Sequence, residues 1–125
     1  MIAGEVNSDL EAVIPLVVQG QSGEVPIEAV IDTGYSYFLT LPAEMVATLG
    51  LEQIGTGILT LADGGRINAA ICQATVLWDG ASRDIDVDVL ETTPLVGMAL
   101  MKGYELNASI FIGGQVALTA CKPGT

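Results

Sequence analysis

Apolar residues alternate with polar ones over several short stretches separated by glycine-containing turns, and this two-residue period predicts a mostly β chain. Ala12 to Gln19 and Val25 to Ile31 are rich in Val and Ile, and Gly20-Gln21-Ser22-Gly23 between them predicts a hairpin. Phe38 to Leu41 is expected as a short strand. A helix should follow over Pro42 to Leu49: Pro42 suits its first turn, and Glu44 lies near the positive end of its dipole. Met45 and Leu49 stand four apart on one face, and Gly50 is the stop. Gly57 to Leu61 and Arg66 to Gln73 read as strands joined by the Gly-rich tip Ala62-Asp63-Gly64-Gly65, and Ala74 to Trp78 continues the sheet. After a turn at Asp79-Gly80, Asp84 to Leu90 alternates acidic and apolar residues, which puts the carboxylates on a solvent face. Leu95-Val96-Gly97 leads to a second short helix near Met98 to Lys102, ended by Gly103, and Ile110 to Leu118 is the expected last strand. No repeat or linker interrupts this order, so residues 1–125 are read as one domain.

A chain of 125 residues can bury roughly two-thirds of its unfolded surface without staples. Half of its residues are hydrophobic and the mean hydropathy is +0.56. The densest apolar run, Ala12 to Val18, is broken by Pro15 and is far shorter than the roughly 18 residues of a spanning helix. The surplus is therefore expected in a packed β core and a subunit interface rather than in a membrane. The formal charge of −11 repels phosphate backbones, which argues against nucleic acid as a partner, and it opposes self-association at neutral pH. The start MIAGEVNSDLEA lacks the basic and apolar regions of a secretory signal, so a cytoplasmic location is expected, with Cys72 and Cys121 as free thiols.

Histidine is missing altogether, which removes Ser-His-Asp and Cys-His nucleophile pairs and the usual zinc ligands. Asp84, Asp86 and Asp88 mimic the first ligands of a calcium loop, but Val89 stands where the loop needs glycine and Leu95 where it needs glutamate. Gly55-Thr56-Gly57 lacks a third glycine and leads into a strand, so it makes no dinucleotide loop. No phosphate loop is present, and neither a metal nor a cofactor is expected. Carboxylates are left as the candidates for acid–base chemistry.

The segment EAVIDTGYSYFLTLP, residues 28–42, places one such carboxylate, Asp32, at the end of an apolar strand. Asp-Thr-Gly there is compatible with an ordinary turn or with half of a catalytic site. Gly34 permits a tight turn and a backbone N–H aimed back at the carboxylate, and Thr33 adds a hydroxyl nearby. Leu95-Val96-Gly97 could pass behind this turn, and the hairpin tipped by Ala62 to Gly65 is long enough to cover it.

The order Val30-Ile31-Asp32-Thr33-Gly34, a hairpin around Ala62 to Arg66, then Leu95-Val96-Gly97, resembles the retropepsin-type aspartic proteases of clan AA over Ala12 to Leu118. Asp32-Thr33-Gly34-Tyr35 with Leu39-Thr40-Leu41-Pro42 is similar to a prokaryotic branch whose motif reads DTGF; Tyr35 stands in place of the phenylalanine. The resemblance implies a closed β-barrel of the acid-protease fold with one or two short helices, homodimeric. It also implies an aspartic endopeptidase in which two aspartates share one proton, one acting as base toward water and the other as acid toward the scissile carbonyl. Like charges about 3 Å apart cannot both ionise. With one Asp-Thr-Gly per chain, a two-fold homodimer would supply Asp32 twice. Thr33 would bond across the axis, Gly34 would steady the carboxylate, and Ala62, Asp63, Gly64 and Gly65 would form a flap over an extended peptide, with Tyr35 at a subsite. The alternative is an inactive dimerisation or peptide-binding module on the same fold.

Overall fold

The two-residue turn at Gln21-Ser22 joins β2 (Ala12–Gly20) to β3 (Gly23–Ile31), and the pair stays in register from Gly20 opposite Gly23 to Val13 opposite Val30. Alternation sends Ile14, Leu16 and Val18 of β2 and Ile27 and Ala29 of β3 inward. This is a computed structural model, and it describes residues 1–122; residues 123–125 of the expected domain lie outside the described residues.

From that hairpin the sheet closes on itself. β3 pairs in parallel with β8 (Leu95–Val96), which pairs with β4 (Leu39–Leu41), and β4 pairs in parallel with β7 (Ala81–Val89). β7 pairs with β6 (Arg66–Trp78), and Thr75 to Leu77 of β6 return to Gln19 to Val17 of β2. The ring β2-β3-β8-β4-β7-β6 is a closed six-stranded barrel, which leaves no unpaired edge in its wall. Its interior holds Ile14, Val18, Leu39, Leu41, Val76, Val87 and Val96, all fully buried. Each such side chain contributes roughly 1.5–3 kcal/mol relative to exposure.

Other strands extend from the ring on two sides. β1 (Ile2–Val6) pairs with β2, then β10 (Gln115–Ala120) with β1, then β9 (Tyr104–Ala108) with β10. On the other side β5 (Glu52–Thr60) pairs with the first half of β6, forming a long hairpin with a register irregularity between Gln53 and Gly55. The one helix among the described residues, α1 (Ala43–Leu49), starts after Pro42 and ends at Gly50, whose φ of 64° is the left-handed conformation glycine adopts without strain.

Several expectations are corrected. The second helix near Met98 to Lys102 is a run of turns. Helix nucleation is costly for five residues, and their carbonyls are taken elsewhere: Leu100 O accepts from Arg83 Nη1 at 3.0 Å and Met101 O from the Tyr104 N–H at 2.9 Å. The last strand begins at Gln115 rather than Ile110, because residues 110–114 form a turn closed by Gly114 N–H donating to Phe111 O at 2.7 Å. β1 and β9 had no counterpart in the expected element order. β5 starts at Glu52 rather than Gly57. Cys72 is buried and Cys121 exposed, both free.

Asp88 is the correction that matters for function. The alternation over Asp84 to Leu90 holds for Asp84 and Asp86, which are exposed, but Asp88 is only 7% exposed. Its end of β7 lies between Ile71 of β6 and Thr40 of β4, and Tyr35 covers it.

Candidate active site

β3 runs out at Ile31 and delivers Asp32 to the rim of the barrel, where the chain turns sharply. The Asp32 N–H donates to Val96 O at 2.9 Å, and the Val30 N–H to Pro94 O at 2.9 Å, so β8 anchors the turn from behind. Within the turn, the Tyr35 N–H donates to Asp32 O at 3.1 Å and the Gly34 N–H to Asp32 Oδ1 at 2.9 Å. The second bond fixes the carboxylate without occupying its other oxygen. Thr33 and Gly34 are exposed, and among the described residues no hydrogen bond links the Thr33 hydroxyl to Asp32.

The segment after the turn is tied to residues 97–99 by three backbone bonds: Gly97 N–H to Phe38 O at 3.0 Å, Met98 N–H to Tyr35 O at 2.8 Å, and Ala99 N–H to Tyr37 O at 3.2 Å. Thr40, fully buried, accepts the Leu95 N–H on Oγ1 at 2.9 Å. Leu95-Val96-Gly97 therefore supports the whole of residues 30–40, as its position behind the turn suggested.

A cleft of about 540 Å³ opens above Asp32. Its floor is Asp32, Gly34, Tyr35, Ser36 and Tyr37, with Thr40, Leu90 and Leu95 beside them, and Ile58 to Ala62 of the β5–β6 hairpin form the opposite wall. Asp32 is the one carboxylate among these described lining residues. Of the expected flap residues, Ala62 lines the cleft; Asp63, Gly64 and Gly65 do not. They build the hairpin tip instead: Asp63 Oδ1 accepts the Gly65 N–H at 2.8 Å, Gly64 takes φ 86°, and the Leu61 N–H donates to Gly65 O at 2.7 Å. Ile58, Leu59 and Leu61 on the hairpin and Tyr37 below were not singled out from the sequence.

Tyr35 links the floor to the barrel wall. Its hydroxyl donates to Asp88 Oδ2, and its ring meets Tyr37 edge-on, centroids 6.1 Å apart. Burial, reinforced by the Asp88 carboxylate, raises the phenol far above its ordinary range. Burial likewise raises the Asp88 carboxyl, an effect the Tyr35 bond opposes. Among the described residues, no three His, Cys, Asp or Glu side chains gather as a metal site, and no helix is long and apolar enough to cross a membrane.

No protein-family model matches the chain, and no curated protein matches it. Among solved structures it is similar to the crystal structure of a retropepsin-like aspartic protease from Rickettsia conorii, with a TM-score of 0.59 and 20% sequence identity. The match covers 96% of this chain and 90% of that one. At that identity the likeness concerns the fold, which is mostly β and retropepsin-like, with a closed six-stranded barrel and one short helix.

Proposed function

We propose that this retropepsin-like domain is an aspartic endopeptidase whose water-activating pair consists of Asp32 from each of two copies. One observation carries the reading: a single, backbone-anchored carboxylate faces a peptide-sized cleft covered by a β-hairpin. A lone carboxylate cannot act as base toward water and acid toward a carbonyl in the same step. A two-fold axis passing beside Asp32 supplies the second group.

With two Asp32 side chains about 3 Å apart, a shared proton replaces the second negative charge. The ionised partner takes a proton from the attacking water, the protonated partner gives one to the scissile carbonyl oxygen, and a tetrahedral diol forms. The first carboxyl then returns its proton to the amide nitrogen while the second, now ionised, takes a proton from a diol hydroxyl, and the C–N bond breaks to give the acid and the amine. Gly34 holds each carboxylate through its N–H, and the exposed Thr33 is available to bond across the axis. The extended substrate lies between the floor and Ile58 to Ala62, and closure of the hairpin excludes water.

Dimerisation has support on the same rim. Val6 stands opposite Ala12 and accepts the Gly113 N–H, so the 110–114 turn lies at the end of the barrel that carries Asp32. Ile110, Phe111 and Ile112 there are 63%, 60% and 66% exposed. Three adjacent apolar side chains left in water on a chain of charge −11 suit a contact between copies. The reading is tested by Asp32→Asn, which should abolish cleavage of a diverse peptide library while leaving the dimer intact. An inactive peptide-binding module would show no cleavage in either protein, with peptide affinity indifferent to the substitution.

A further inference from the structure

Asp88 is a buried carboxylate that the proposed chemistry does not use. It lies outside the cleft, and its described hydrogen-bond partner is the hydroxyl of Tyr35, a residue that lines the cleft beside Asp32. Leucine at 88 against phenylalanine at 35 would fill similar space without the cost of desolvating a carboxylate. The polar pair adds direction: one donor meets one acceptor, so one ring orientation is selected.

We propose that Asp88 is a positioning residue, which fixes the Tyr35 ring as one wall of the subsite next to Asp32 and thereby sets the preference for the peptide side chain bound there. The inference rests on the peptidase reading of the cleft. Tyr35 is constrained at every level. Its N–H closes the Asp32 turn, its carbonyl accepts the Met98 N–H, its Cδ2 would lie 2.6 Å from a Cβ on Gly97, and its ring makes a T-shaped contact with that of Tyr37. These contacts fix the base of the side chain, and Asp88 fixes its far end. The neighbouring surface is apolar at Ile58, Leu59, Leu61, Leu90 and Leu95, so the subsite takes a large apolar side chain packed on the face of the ring. A ring already in its bound orientation spares the ordering that a free one would undergo on binding.

The test uses fluorogenic hexapeptides varied at the residues flanking the cut, with wild type, Tyr35→Phe, Asp88→Leu, Asp88→Asn and the double variant Tyr35→Phe/Asp88→Leu. Tyr35→Phe removes one oxygen and should raise KM for large apolar side chains by roughly three- to tenfold, the scale of one hydrogen bond. The loss should fall on KM rather than kcat, and the preference over small side chains should flatten. The double variant should be no worse than either single change. Asp88→Asn keeps an acceptor and should recover most of what Asp88→Leu loses. Unchanged KM and preference in folded Tyr35→Phe, or independent addition of the two effects, overturns the inference. Should Asp88→Leu fail to fold, Tyr35→Phe and Asp88→Asn still decide it. If wild type cleaves none of the peptides, the peptidase reading fails separately, and the same variants are compared by fluorescence anisotropy of peptide binding. A wild type that neither cleaves nor binds them overturns both readings.

Discussion

A Cβ added to Gly97 would stand 2.1 Å from the carbonyl oxygen of Tyr37, so the two segments meet backbone to backbone with no room for a side chain. The contact brings residues 97–99 within hydrogen-bonding distance of residues 35–38, and through them steadies Asp32. Gly97→Ala must push the Tyr35–Phe38 segment away. The expected loss is about 1–3 kcal/mol, the usual cost of overpacking, measured by urea unfolding, together with a marked fall in any peptide hydrolysis. Gly55→Ala is the control, since nothing lies within 4 Å of a Cβ there, and its stability should stay within about 0.5 kcal/mol of wild type.

Asp32→Asn removes the acid–base group and keeps an oxygen that can accept the Gly34 N–H. Peptide hydrolysis should fall by about a thousandfold or more, within the range associated with acid–base groups. Sedimentation should show the same assembly as wild type. Equal turnover by the variant would end the catalytic assignment.

Phe111→Asp puts a charge into the exposed apolar turn, and a two-fold interface would contain the change twice. With roughly 1.5–3 kcal/mol for each buried phenylalanine, the dimer should weaken by about a hundredfold or more, seen by sedimentation velocity across concentration. For wild type, added salt should tighten association by screening the repulsion between subunits of charge −11. A dimer insensitive to Phe111→Asp would place the interface elsewhere.

Burial raises the folded-state pKa of Asp88 above that of the unfolded chain, ordinarily about 3.9. The native state then holds this proton more tightly than the unfolded state does. Its contribution to stability is greatest below the unfolded pKa and declines as pH rises through the folded one. Asp88→Asn does not titrate, so the stability of wild type relative to this variant should fall as pH rises above about 4 in paired urea melts. A difference that holds constant or grows with pH would contradict the burial argument. The groups known to act on Asp88 are Tyr35, through the hydrogen bond, and Asp86 along the same strand.

The barrel was legible wherever burial imposed a clean alternation, as in β2 and β3, and α1 announced itself through Pro42 and Gly50. β1 was hidden because Gly4 takes the inward position between Ile2 and Val6 and leaves its pattern without an apolar residue there. Gly4 is there for proximity, since a Cβ would lie 2.0 Å from Val13 O. β9 alternates Tyr104, Leu106 and Ala108 with Glu105 and Asn107, but it is a five-residue, largely exposed edge, too short for that period to stand out. Asp32 and Gly34 could be picked out because short-range backbone chemistry explains them, and Leu95-Val96-Gly97 because its order after Asp-Thr-Gly resembles a known pattern. Asp88 could not. Its burial depends on Tyr35, fifty-three residues earlier, and no local pattern encodes that meeting.

The thirteen residues of β6 belong to two structures at once: Arg66 to Gln73 pair with β5 in the cover of the cleft, while Ile71 to Trp78 are part of the barrel. Cover and wall are thus one beam, clamped at its inner end. On the peptidase reading, raising Ala62 to admit a polypeptide would mean flexing that beam rather than swinging a door, and the stiffness of the shared stretch from Ile71 to Gln73 would govern how wide the entrance can become.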